Sequence, residues 1–261
     1  MIQSRARYVF DTDEFARLTG RKAHAARVSL ARLARRKHIE VVHKRPSVWL
    51  IVPPEYSHYG APPFAWWAHD CLTRLVPFYY VGLLSAARIW GSSHYALQVE
   101  QVVVQEQRGP IEAGRQKVVF FSKADAVRTP VTEVVSDRGR LRVSTREATL
   151  LDLVRHQDKI GGIEAIARII NDFGPDLKPS SMLRALDAMG QVSVAQRLGF
   201  LLERMGLLQM ADLVADWLSP RRVVRRTLSD SDLGADELLV DERWAIRYSG
   251  NQQRLLDELR Q

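Results

Sequence analysis

The stretch DTDEFARLTGRKAHAARVSLARLARRKHIEVVHKRPSVWLIV, residues 11–52, holds the signals that set the fold of the N-terminal part of the chain. Asp11-Thr12-Asp13-Glu14 opens a helix: an Asp or Thr side chain accepts from the free first-turn amides, and early acids suit the helix dipole. Phe15 and Leu18, three apart, predict its buried face. Gly20 predicts its end, because glycine takes the left-handed conformation that reverses a helix terminus. A second helix is predicted over residues 22–37. Ala23, Ala26, Leu30, Leu33 and Ala34 gather on one stripe at helical spacing, and Arg21, His24, Ala25, Val28, Arg32 and Arg35 fall on the opposite side.

After that helix come Ile39-Glu40-Val41-Val42, a polar turn His43-Lys44-Arg45-Pro46-Ser47, and Val48-Trp49-Leu50-Ile51-Val52. Two β-rich runs around a proline-containing polar connection predict a hairpin. Helix, tight turn, basic helix and basic-tipped hairpin together predict a winged helix-turn-helix that binds double-stranded DNA. The major groove admits one α-helix, and cations on a wing reach flanking phosphates. On this reading Arg21, His24, Ala25, Val28 and Arg32 face base edges. Lys22, Arg27, Arg35, Arg36, Lys37, Lys44 and Arg45 approach the backbone. A winged helix ordinarily has one more helix ahead of these two, and only residues 1–8 are available for it here.

A charged helix alone is usually just a solvated surface, so the placement of charge matters. The chain has 261 residues, 46% hydrophobic and 26% charged, with a formal net charge of +8. Residues 1–45 hold twelve Lys and Arg against Asp11, Asp13, Glu14 and Glu40, which accounts for the whole +8 and leaves the remainder balanced. A polyanionic partner for the N-terminal part follows. One cysteine, Cys71, excludes an intramolecular disulfide and a Cys-rich zinc site, and fits a reducing compartment and a small buried core position. No signal-peptide pattern opens the chain, and no apolar run approaches the ~18 residues of a membrane helix. A soluble cytoplasmic protein with no membrane contact is expected.

The rest of the chain is expected to add a larger mixed domain, giving an α+β fold: residues 1–55 as the DNA-binding domain, 56–63 (YSHYGAPP) as a linker, and 64–261 as the second domain. Residues 65–91 are dense in aromatics and small residues, as in buried helices. Short β-branched runs at 97–105, 117–122, 131–135 and 140–143 predict strands. Ser144 with Glu147 predicts a capping box. Further helices are expected over 162–173, 180–189, 194–205, 211–218 and 251–259, and strands at 223–224 and 244–248. Gly161-Gly162 reads as a helix-entry turn.

Catalytic signatures are absent: there is no G-x-S-x-G, no Walker A loop and no G-x-G-x-x-G. No catalytic residue, metal site or cofactor is assigned. His38, Glu40 and His43 on a hairpin make a poor ligand set. The acidic stretch 229–242, with Asp230, Asp232, Asp236, Glu237, Asp241 and Glu242, misses the EF-hand register and reads as a solvated loop. A nuclease using that stretch, or Glu100, Glu112 and Asp125, is the enzymatic alternative. A ligand-responsive regulator sensing a small molecule through Trp66, Trp67, Tyr79 and Tyr80 is another. Arg221, Arg222, Arg225 and Arg226 form a possible second basic surface.

Three blocks carry a family resemblance: FYYVGLLSAARIWG at 78–91, VSTREATLLDL at 143–153 and RLGFLLERMG at 197–206. Together with the N-terminal winged helix they resemble the AbiEi family, antitoxins of type IV toxin–antitoxin pairs, some of which act in abortive phage infection. The resemblance implies a bifunctional, non-enzymatic protein. Its N-terminal domain would repress its own operon by binding inverted repeats near the promoter. Its C-terminal domain would counteract a cognate nucleotidyltransferase-like toxin. By spacing alone Leu198, Leu201, Leu202 and Met205 are core.

Overall fold

A computed structural model describes residues 7–92, 99–229 and 238–260. They form two compact units, and the chain passes between them more than once. The first comprises Met1–Val81, Leu97–Val127 and Thr132–Val143, and the second Gly82–Ala96, Arg128–Val131 and Ser144–Gln261. The fold is mixed α+β, as expected from the sequence.

In the first unit β1 (Val9–Phe10) precedes α1 (Thr12–Thr19) and α2 (Ala23–Arg35), followed by the hairpin β2 (Ile39–Lys44) and β3 (Ser47–Ile51). The three strands order as β1-β3-β2, both pairs antiparallel, with Val9 opposite Leu50 and Val41 opposite Trp49. Asp11 caps α1, its carboxylate accepting the Glu14 amide at 2.7 Å, and Gly20 ends the helix at φ 65°. Phe10, Leu30 and Ile39 are buried together, with Phe15, Leu33, Ala34, Trp49 and Ile51 against them. The residues ahead of α1 supply a strand. The helical cover expected there comes from later in the chain: α3 (Phe64–Leu75) packs against β1 and β3.

The same unit holds a six-stranded sheet of β4 (Tyr79–Val81), β5 (Glu100–Val104), β6 (Ile111–Ala113), β7 (Gln116–Ser122), β8 (Val131–Val135) and β9 (Arg140–Ser144). Its order is β6-β7-β5-β4-β9-β8, with β5–β7 and β4–β9 parallel. Edge strand β6 lies beside β2. The approach of 56–60 to the β6–β7 turn requires glycine on both sides. A Cβ on Gly114 would lie 2.2 Å from the Tyr59 carbonyl oxygen, and one on Gly60 would lie 2.7 Å from the Gly114 Cα.

The second unit is chiefly helical. α5 (Arg146–Arg155) is buried along residues 147–154 and packs against α4 (Leu83–Ile89), α6 (Gly162–Phe173), α7 (Pro179–Met189) and α8 (Val192–Arg204). α9 (Leu208–Leu218) pairs with α8, and α10 (Gly250–Leu259) with α6. A small sheet orders as β10 (Arg226–Thr227), β12 (Ile246–Tyr248), β11 (Leu239–Asp241). Leu198, Leu201 and Leu202 are wholly buried, and Met205 is 6% exposed, as their spacing requires.

Several expectations need correction. Leu18 is 51% exposed, and Glu14 is buried instead, because two apolar residues cannot fix the phase of so short a helix. Ala23 is also exposed. The α5 cap is Thr145, which accepts the Ala148 amide, while Glu147 turns inward to accept the Lys178 amide at 2.9 Å. No capping box forms there. Residues 223–224 belong to no strand. β4 lies within the stretch read as helical, a 3-10 turn spans Pro54–Tyr56, and Ala61 and Pro62 are buried. The two compact units do not divide at residues 56–63.

Candidate nucleic-acid interface

The phase of α2 is set by Ala26 and Leu30, both fully buried where α2 packs on α1 and β2. Turning 100° per residue from that stripe carries His24, Ala25, Val28 and Arg32 outward, Arg21 stands just ahead of the N-cap, and all five are exposed. Val28, an apolar residue, is 39% exposed in the middle of this cationic face. Lys22 stands at the N-cap and Arg36 at the C-cap. Lys37 adopts φ 59°, which turns the chain out of the helix into β2. Lys22, Arg27, Arg35, Arg36, Lys37, Lys44 and Arg45 are likewise exposed. Twelve side chains chosen by rotation and charge therefore all reach the surface of this unit.

The wing is tied down by contacts that sequence reasoning missed. Thr12 Oγ1 accepts both the Trp49 indole N–H at 3.1 Å and the Ser47 hydroxyl at 2.9 Å, and the Thr12 amide donates to Ser47 Oγ at 3.2 Å. Within the turn, His43 Nδ1 lies 2.8 Å from the Pro46 carbonyl oxygen, which can only accept, so Nδ1 carries the proton. These bonds join the first turn of α1 to Ser47 and Trp49 on β3, close to the wing tip that carries Lys44 and Arg45. Between α1, α2 and the wing runs a groove of about 710 Å3 lined by Thr12, Arg27, His43, Lys44, Arg45 and Trp49, among others. An open groove with three cations on its walls can take a phosphate backbone.

The acids of this region are handled locally. Asp11 and Glu14 meet Arg74 of α3, at 2.7 and 3.2 Å, and Glu14 also meets Arg7 at 2.9 Å. Burial pushes the Asp11 carboxyl up, but the Glu14 amide and the Arg74 guanidinium outweigh it and hold it below its ordinary value. Glu40, half-buried on β2, is raised by desolvation.

The other candidates fare differently. Arg221 stacks on Trp217 with its guanidinium 3.6 Å from the ring centre, Arg225 pairs with Glu242 at 2.8 Å, and Arg222 and Arg226 of that set are exposed. Trp67, Tyr79 and Tyr80 are at most 1% exposed. Trp67 donates to Gln116, and Tyr79 is bonded to His69, so these three rings pack as core. Trp66 is flanked by Tyr8, Tyr56 and the Arg138 guanidinium. Cys71 is fully buried and its thiol is pushed up to about 12 by desolvation. Glu112 pairs with Lys117. Among the described residues no group of three or more His, Cys, Asp or Glu is placed to hold a metal ion, while Asp230, Asp232, Asp236 and Glu237 lie outside the described residues. No described helix is long and apolar enough to cross a membrane.

Comparison with known proteins adds two findings. A family model described as the AbiEi antitoxin C-terminal domain matches residues 80–204. The chain is also similar in fold to a solved structure, the RV2827C protein from Mycobacterium tuberculosis, with a TM-score of 0.65 and 17% identity over 98% of this chain and 92% of that one. No curated protein matches it.

Proposed function

We propose that this chain, whose residues 80–204 match the AbiEi antitoxin C-terminal domain, is a DNA-binding autorepressor as well as an antitoxin. The winged helix binds inverted repeats near its own promoter in the cytoplasm. The antitoxin activity counteracts a nucleotidyltransferase-like toxin. The observation that carries the DNA-binding half is the outward face of α2. It presents Arg21, His24, Ala25, Val28 and Arg32 together, all exposed, beside a wing whose tip is cationic. Arg on this face suits the O6 and N7 acceptors of guanine, and Val28 or Ala25 suits a thymine methyl. Lys22, Arg27, Arg35, Arg36, Lys37, Lys44 and Arg45 supply the phosphate contacts that make binding strong and salt-dependent.

Two experiments test the two halves. In a mobility-shift titration, Arg35→Ala or Lys44→Ala weakens binding alike on all sequences and lowers the salt slope by about 1. Arg32→Ala instead costs about 1–3 kcal/mol of discrimination at one base position. Equal loss of affinity and selectivity across these variants counts against the division of roles. For the antitoxin half, co-expression with the adjacent gene relieves the growth defect that gene causes alone. An unchanged defect contradicts the proposal.

A further inference from the structure

Arg74 lies in α3, outside the cationic N-terminal stretch, yet its guanidinium enters the reading head. Nη1 bonds Asp11 Oδ2 at 2.7 Å and Nη2 bonds Glu14 Oε2 at 3.2 Å. Asp11 uses its other oxygen to cap α1, and Glu14, only 8% exposed, is shared with Arg7. Two of the four acids in the first 45 residues are thereby gathered on one guanidinium. The next residue, Thr12, is the hub that holds Ser47 and Trp49 of the wing. A single fork thus fixes the start of α1, against which α2 packs and to which the wing is tied.

We propose that Arg74 is a positioning residue for DNA binding. It touches no DNA itself, but it orients α1, and through it α2 and the wing, while cancelling the charge of Asp11 and Glu14. This rests on the reading of α2 and the wing as the DNA-contacting surface. A planar fork can bond two carboxylates at once, whereas a lysine ammonium at the same site is a point charge on a flexible stem. Removal of the fork leaves buried Glu14 with Arg7 alone and Asp11 with only its cap. α1 is then free to shift, and two negative charges return beside a surface meant for phosphate.

The test uses the full chain and DNA from upstream of its own gene, titrated at several salt concentrations. Arg74→Met is expected to bind about five- to twentyfold more weakly with the salt slope of the native protein, because no phosphate contact is lost. Arg74→Lys falls between the two. Combining Arg74→Met with Asp11→Asn and Glu14→Gln recovers most of the affinity, since Asn still caps the helix and no unpaired carboxylate remains. Circular dichroism melts show which variants are folded at the titration temperature, and the triple variant serves as the folded reference if Arg74→Met alone is not. Three results overturn the inference: native affinity in Arg74→Met, a salt slope lowered by about 1 as for a direct phosphate contact, or no recovery in the folded triple variant. Failure of the native protein to prefer its upstream DNA is a different outcome, which removes the DNA-binding reading itself.

Discussion

Thr12 shows how much of the wing rests on one side chain. Its hydroxyl oxygen accepts from Trp49 and Ser47, and its amide donates to Ser47 Oγ. Thr12→Val keeps the shape and removes the acceptor, leaving the Trp49 N–H unpaired, at a cost of about 1–3 kcal/mol in chemical unfolding. Asp11 makes a pH prediction. Its folded value lies below the ordinary 3.8 because the Glu14 amide and Arg74 outweigh its desolvation. The stability it contributes is present above that ordinary value and is lost as pH falls through the lower folded one. Asp11→Asn should therefore flatten the loss of stability as pH falls below the ordinary 3.8, with Glu14, Arg7 and Arg74 unchanged around it. Cys71 gives a third. With no exposed surface and a thiol pushed up to about 12, it stays unreactive to a thiol reagent at pH 8 until the chain unfolds. At this scale the exposed cations were legible, because helix rotation and charge place them. Glu14 and Arg74 were not, since sixty positions separate the partners and no local pattern marks a pair made by tertiary packing.

The elements differ in how far their sequences specify them. α2 is specified by a stripe of spaced apolar residues, and Leu30 fills the core under it. Leu30→Ala is expected to cost about 2–5 kcal/mol, whereas Val28→Ala on the outward face stays within about 0.5 kcal/mol. β4, β6 and β11 are three residues each, too short for a period of two to emerge, and β4 is embedded among aromatics that serve a helix equally well. Their pairing comes from distant strands. α8 is legible as a helix but its Gly199 is not legible as a packing site. A Cβ there would lie 2.0 Å from the Trp244 ring, whose indole donates to Glu203. Gly199→Ala forces that ring to move and is expected to cost about 1–3 kcal/mol.

At the level of the whole molecule, charge asymmetry locates the proposed DNA-binding surface, but not how it is supported. The sequence places a linker after residue 55 because Gly, Pro and polar residues cluster there. In the structure Gly60 and Gly114 instead mark a close approach within one compact unit. Tyr8, 1% exposed, is covered by Trp66 and bonded to Arg138, and α3 lies on β1 and β3. A fragment of residues 1–55 would bare those surfaces to water. It is expected to show no cooperative melt, while the full chain does. The net positive charge is confined to the first 45 residues, and the remainder is balanced. The antitoxin assignment was legible only through resemblance, because its three blocks are mostly buried core and core residues report packing.

The central claim is that the exposed face of α2 and its wing read a particular DNA sequence. It is tested most directly by titrating the full chain against the repeat upstream of its own gene and against a shuffled duplex of the same composition, at about 150 mM salt where non-specific binding is weak. The account predicts a preference of about a thousandfold for the repeat, abolished when α2 loses Arg21, His24 and Arg32 together. Equal affinity for the two duplexes would contradict it.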